Sequence, residues 1–157
     1  MRSIRFLKKL HLENKLDLVE PSKDISSDYL RKSANSYKAA VLLFEKELHE
    51  EAVSMTYYSM YHMLTALLFK AGIKCENHSG AIILLKELFN IDNSSISSAK
   101  KERIDKQYYT DFKIVNKDAQ DSVKSAEEFR AIILSFIEQI KNEEINKIRD
   151  VLRKELD

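Results

Sequence analysis

The chain has 157 residues, 44% hydrophobic and 32% charged, with 26 basic against 25 acidic side chains and a formal net charge of +1. That length suits one domain with a proper core, and the balanced charge gives no general electrostatic case for nucleic acid or an acidic membrane as partner, although it leaves room for a local patch. Two glycines and one proline are too few for the regularly spaced turns of a β-rich fold, so the expectation is all-α.

Residues 1–20 read as an N-terminal amphipathic appendage. Ile4, Phe6, Leu7, Leu10 and Leu12 recur at helical spacing among basic residues and predict a helix over about 2–14, with Leu16 to Pro21 as an extended lead-out. Such a basic amphipathic start fits packing across a neighbouring helix or partner chain better than a membrane surface. Around the single proline, Ser26 or Ser27 is the expected N-cap, and Asp28 suits the positive end of the helix that follows. That helix is expected over 27–48, with Tyr29, Leu30, Ala34, Tyr37, Ala40, Val41 and Phe44 as its apolar stripe.

The next helix, about 50–71, is apolar around most of its circumference, and this makes it the central element. Met55, Tyr58, Ser59, His62, Ala66 and Phe69 share one face; Tyr57, Tyr61, Leu64 and Leu68 share the adjacent one. Lys70 and His62 interrupt it, so no stretch reaches the ~20 apolar residues of a membrane span. Gly72 is the expected C′ glycine and 73–77 a loop. Its Cys75 is the only cysteine, which excludes an internal disulfide and a thiolate-rich zinc site and fits a reducing cytoplasm.

Further helices are expected over 78–90, from about 98 onward, and over 122–141, where Ala126, Phe129, Ile132, Ile133, Phe136, Ile137 and Ile140 share a face. Residues 90–98 and 113–122 read as polar loops. The bundle proper thus covers 21–141, and 142–157 is a charged, helix-compatible extension that continues the last helix or packs on a second copy.

Laid out in this order, the motifs resemble a known family. They are Tyr29-Leu30-x-Lys32, Glu51-Ala52-Val53-Ser54, Tyr57-Tyr58-x-Met60-Tyr61-His62, Ala66-Leu67-Leu68, Gly72-Ile73-Lys74, His78 before Ile82-x-Leu84-Leu85, Arg103-x-Asp105-x-x-Tyr108-Tyr109 and Ala126-x-x-Phe129. Over about 18–141 the chain is similar to the HEPN family, most of all its small stand-alone archaeal and bacterial members. The resemblance implies an up-and-down bundle of four to five helices, commonly a homodimer, often acting beside a minimal nucleotidyltransferase in a toxin–antitoxin or nucleotide-binding pair. Many family toxins are metal-independent ribonucleases with an Arg-x(4–6)-His motif near the start of a late helix.

Here Tyr108 stands where that histidine belongs after Arg103. A phenol of pKa ~10 is a poor general base at neutral pH. A literal Arg-x5-His match, Arg5 to His11, lies in the N-terminal appendage and is loose enough to arise by chance. The expectation is therefore a dimerising nucleotide- or partner-binding module; the alternative is a ribonuclease toxin with a divergent Arg-x4-Tyr motif.

The candidate ligand-binding residues are Arg103, Asp105, Tyr108, Tyr109, Tyr58, His62 and His78. Arg103 offers a planar fork for phosphate, Tyr109 a ring or hydroxyl, and Asp105 lies off Arg103's face. An ion-paired helix start with tyrosines at the core edge explains the same residues. Tyr58 and His62 form an i, i+4 pair able to touch, though a histidine in an apolar helix is more often a buried donor satisfied by a neighbouring hydroxyl. His78, with Asn77 and Ser79, opens a helix whose amides favour anions, or simply caps it. His11, His49, His62 and His78 show no i, i+4 pairing or carboxylate company, so neither a metal nor another cofactor is expected. The expected location is the cytoplasm.

Overall fold

The computed structural model describes residues 2–108 and 114–157, apart from the side chains of Arg2 and of residues 105–108. Within it run α1 (Arg2–Leu12), β1 (Leu16–Leu18), α2 (Lys23–Glu45), α3 (His49–Lys70), β2 (Ile73–Cys75), α4 (His78–Phe89), α5 (Ser94–Tyr108), α6 (Asn116–Gln139) and α7 (Asn142–Leu156). The chain is all-α, with a two-stranded ribbon added and more helices than the four or five expected.

The antiparallel pair α2–α3 is built on small residues seven apart. Ser26, Ser33 and Ala40 on α2 and Ala52, Ser59 and Ala66 on α3 are all buried. Ser26 Oγ donates to Ala66 O at 2.8 Å and Ser33 Oγ to Ser59 O at 2.7 Å, and the same register continued by seven residues sets Ala40 against Ala52. Small side chains at the contact shorten the distance between helix axes, and carbonyl acceptors keep the buried hydroxyls satisfied. The expected stripe is corrected accordingly: Ala34 is exposed, Tyr29, Leu30, Tyr37, Val41 and Phe44 are half-buried, and the serine face lies deepest.

The N-cap of α2 is Ser22, whose Oγ accepts from Ile25 N at 3.1 Å; Ser26, the residue expected there, is used against α3. Asp24, not Asp28, therefore lies in the first turn. Between α2 and α3 the chain reverses without a glycine, and Glu47 takes the left-handed φ of 60°.

Expected loop 73–77 instead gives β2, which pairs antiparallel with β1 as Leu16↔Cys75, Asp17↔Lys74 and Leu18↔Ile73. Leu16 and Ile73 anchor the ribbon with their side chains fully buried. Three-residue strands are too short to reveal an alternating pattern in sequence. Gly72 combines φ +72° with close packing, since a Cβ would overlap Arg149 Nη1 and Val19 O.

Helix α5 starts at Ser94, earlier than expected, where Asp92 accepts from Ser94 N at 3.1 Å and from its Oγ at 2.8 Å, and Ile96 is fully buried. Helix α6 starts at Asn116, so residues 116–122 are helical rather than loop. Its buried stripe is Ala119, Ala126, Phe129, Ile133 and Ile137, whereas Ile132 is 57% exposed. Helix α6 ends at Gln139 with Ile140 as its C-cap, and α7 does not continue it. It packs on α1 and α4, and Ile145 and Leu152 join Leu7 and Leu10 of α1 in the main core. Leu12, by contrast, is 81% exposed. Helix α3 lies at the centre, against α2, α4, α5 and α6. Among the described residues no helix is long and apolar enough to cross a membrane.

Candidate functional site

Where α3, α4 and α5 meet, their polar aromatic and basic residues converge. Tyr57 is fully buried, and its Oη lies 2.7 Å from Nδ1 of His78. Asn77 makes this possible by capping α4: its Oδ1 accepts from Gly80 N at 2.8 Å and fixes the turn that carries His78. Tyr61, one turn further along α3, stacks on the His78 ring with centroids 3.8 Å apart. From α5, the Arg103 guanidinium lies 5.3 Å from the Tyr57 ring centroid and 5.2 Å from that of Tyr58. Both are cation–π distances, with the quadrupoles of two rings holding one cation.

The aromatic row continues towards α2. Tyr58 and His62 stack at 6.3 Å, His62 lies 6.0 Å from Tyr29, and Tyr29 stacks on Phe69 at 5.6 Å. Lys32 Nζ sits 4.8 Å from the Tyr29 centroid. The i, i+4 contact of Tyr58 with His62 is thus ring on ring rather than hydroxyl to imidazole. Nδ1 of His62 is buried with no hydrogen-bond partner among the described residues, so the expected satisfied donor is corrected.

Burial lowers the pKa of both histidines. Arg103, Lys100 and His62 lower that of His78 further, and Lys32 that of His62. Burial also pushes Tyr61 up to about 12 and raises Tyr57 strongly. At neutral pH the site therefore holds uncharged imidazoles and phenols beside fixed cations. If the Tyr57 phenol donates to Nδ1 of His78, Nε2 carries the ring N–H; if Nδ1–H donates to the phenol, Nε2 is a free base. Lys100 Nζ donates to Ser79 Oγ at 2.5 Å, next to His78.

Of the sequence candidates, Arg103, Tyr58, His62 and His78 come together. Asp105 and Tyr108 lie on α5 with side chains outside the description, and Tyr109 lies outside the described residues altogether. Asp105 is about 200° around the helix from Arg103. Tyr57 and Tyr61, which share a face of the central helix with Leu64 and Leu68, are the ones that fix and stack His78. Lys100 was missed, although its position three residues before Arg103 places the two on neighbouring parts of one helix face. His11, read as lacking carboxylate company, has Nδ1 3.2 Å from Asp17 Oδ1 and 2.8 Å from Leu16 O. It sits beside the ribbon. No group of three or more His, Cys, Asp or Glu side chains placed to hold a metal occurs among the described residues.

The HEPN domain family model matches residues 26–144, which is α2 through the first turn of α7. The chain belongs to the HEPN family. A relative named "Putative toxin MJ0605" from Methanocaldococcus jannaschii is 30% identical over 98 residues, covering 58% of this chain and 72% of that protein. Every residue of the Tyr57–His78–Arg103 cluster lies inside the HEPN match, whereas α1 and β1 precede it and most of α7 follows it.

Proposed function

We propose that this HEPN protein is a toxin-type module that binds a phosphate group of a nucleotide or RNA at Arg103, and that it acts as a cytoplasmic homodimer beside a nucleotidyltransferase partner. The observation that carries the reading is the guanidinium laid over Tyr57 and Tyr58 next to the uncharged His78. A guanidinium whose position is already fixed by two rings loses little freedom on binding, and its planar fork matches phosphate oxygens. The name of the archaeal relative supports the toxin assignment.

A second reading, metal-independent ribonuclease, is favoured by His78. A phenol such as that of Tyr108 is a poor base at neutral pH, but an uncharged imidazole fixed by Tyr57 and lying near Arg103 can act as one. In that chemistry His78 takes the proton of a ribose 2′-hydroxyl. The resulting oxygen attacks the adjacent phosphorus, and the 5′-oxygen leaves with a proton from water. Arg103 would balance the charge gathering on the phosphoryl oxygens.

Incubation of bulk RNA with the purified protein, Arg103→Ala and His78→Gln separates the two readings. Binding without cleavage, lost in Arg103→Ala, supports the module. Cleavage reduced ~10²-fold or more in both variants supports the ribonuclease. Neither binding nor cleavage by the wild type overturns both.

A further inference from the structure

We propose that the groove between α4 and α5 is a nucleobase pocket that seats the base belonging to the phosphate at Arg103. The inference rests on the phosphate-binding reading above and extends it to the ligand's apolar half. The groove is a cavity of about 380 Å³ whose walls include Ile82, Ile83, Ile104, Asn93, Lys100 and Lys101. That volume falls within the ~300–1,000 Å³ of small-molecule sites and suits one nucleoside.

Chemistry selects the occupant. Three isoleucines give an apolar surface whose branched side chains are stiff, the kind of wall against which the flat face of a base packs. Two ammonium groups and no carboxylate lie among the described lining residues, so the ligand that fits is flat, apolar on its faces and anionic at one end. The lining also offers amide and hydroxyl groups for a base edge. Asn93 uses Nδ2 to donate to Ile82 O at 2.9 Å, which fixes its amide and leaves Oδ1 as an acceptor.

The groove is continuous with the site. Lys100 lines it on α5, hydrogen-bonds Ser79 of the facing α4 wall, and acts electrostatically on His78. Lys100, Arg103 and Ile104 are three and four residues apart on one side of α5. A phosphate placed between Lys100 and Arg103 would therefore have its own nucleoside over the isoleucines. The base could come from a free nucleotide or from one position of a single RNA strand.

The test uses the full chain and a fluorescein-labelled RNA pentamer blocked against cleavage by 2′-O-methylation, with an abasic pentamer and ATP as competitors. Ile83→Asp and Lys101→Ala are compared with Arg103→Ala, each checked for folding by its thermal transition. The expected result is that Ile83→Asp weakens the pentamer at least tenfold but leaves the abasic strand unchanged. Lys101→Ala, on an exposed position, should weaken binding and flatten its salt dependence, while Arg103→Ala weakens both strands. Stronger competition by ATP than by unlabelled pentamer identifies the free nucleotide as the source, and the reverse identifies a strand. Either supports the pocket if Ile83→Asp removes it. Wild-type affinity in both Ile83→Asp and Lys101→Ala, with loss in Arg103→Ala, overturns the base pocket and leaves the phosphate site standing. Unchanged binding in all three variants overturns both.

Discussion

A cation binds an anion well where something fixes its position, and for Arg103 the faces of Tyr57 and Tyr58 contribute to that. The same burial keeps His62 and His78 uncharged, which has a consequence for stability. Their folded pKa values lie below the unfolded value of ~6.5, so the unfolded chain binds more protons in the window between the two. The contribution is fully present above ~pH 6.5 and is lost as pH falls through the folded values. Urea midpoints should therefore fall between pH 7 and pH 5, and replacing both histidines with glutamine should flatten the slope; a slope unchanged by the double substitution would assign the acid sensitivity to other groups. At this scale the sequence showed which residues carry chemistry but not how they pair. Tyr57 and His78 are 21 positions apart, and only the packing of the start of α4 against α3 brings phenol to imidazole.

At the scale of elements, the heptad of small residues fixes the separation of α2 and α3. Ser33 sits at its middle, donating to Ser59 O and accepting from Arg130 Nε at 2.8 Å. Ser33→Leu should destabilise the protein by about 1–3 kcal/mol through overpacking, read as a lower urea midpoint at unchanged slope. Stability equal to wild type would mean that the helices separate at no cost. The central position of α3 was legible because its apolar residues surround the helix. The buried face of α2 was not, because a search for large apolar residues passes over serine. The start of α6 was hidden in the same way, its first buried residue being Ala119.

For the whole molecule, one polar side chain joins the apolar packing that ties the last helix to the first half of the chain. Arg149 Nη1 donates to Val19 O and Gly72 O at 2.6 Å each and lies 3.3 Å from Ala71 O. Arg149→Ala removes a charged donor from these carbonyls, of which Gly72 O keeps its bond from Val19 N, and should cost about 1.5–3 kcal/mol. It should also open 142–157 to protease before the rest unfolds, as α7 packs chiefly on α1 and α4. Cleavage at the wild-type rate would show that Ile145 and Leu152 hold the helix unaided. Helicity, the order of the first six helices and the HEPN family were legible in the sequence; the two-stranded ribbon was not. The docking of α7 was not, because it depends on carbonyls 77 or more positions away in the chain.

The central claim is that Arg103 on its two tyrosine rings is the phosphate site of this HEPN protein. The most direct measurement is the affinity of wild type and Arg103→Ala for a non-cleavable single-stranded RNA, followed by fluorescence anisotropy at low salt. Arg103→Ala should bind at least tenfold more weakly with its thermal transition retained. Equal affinities would contradict the claim.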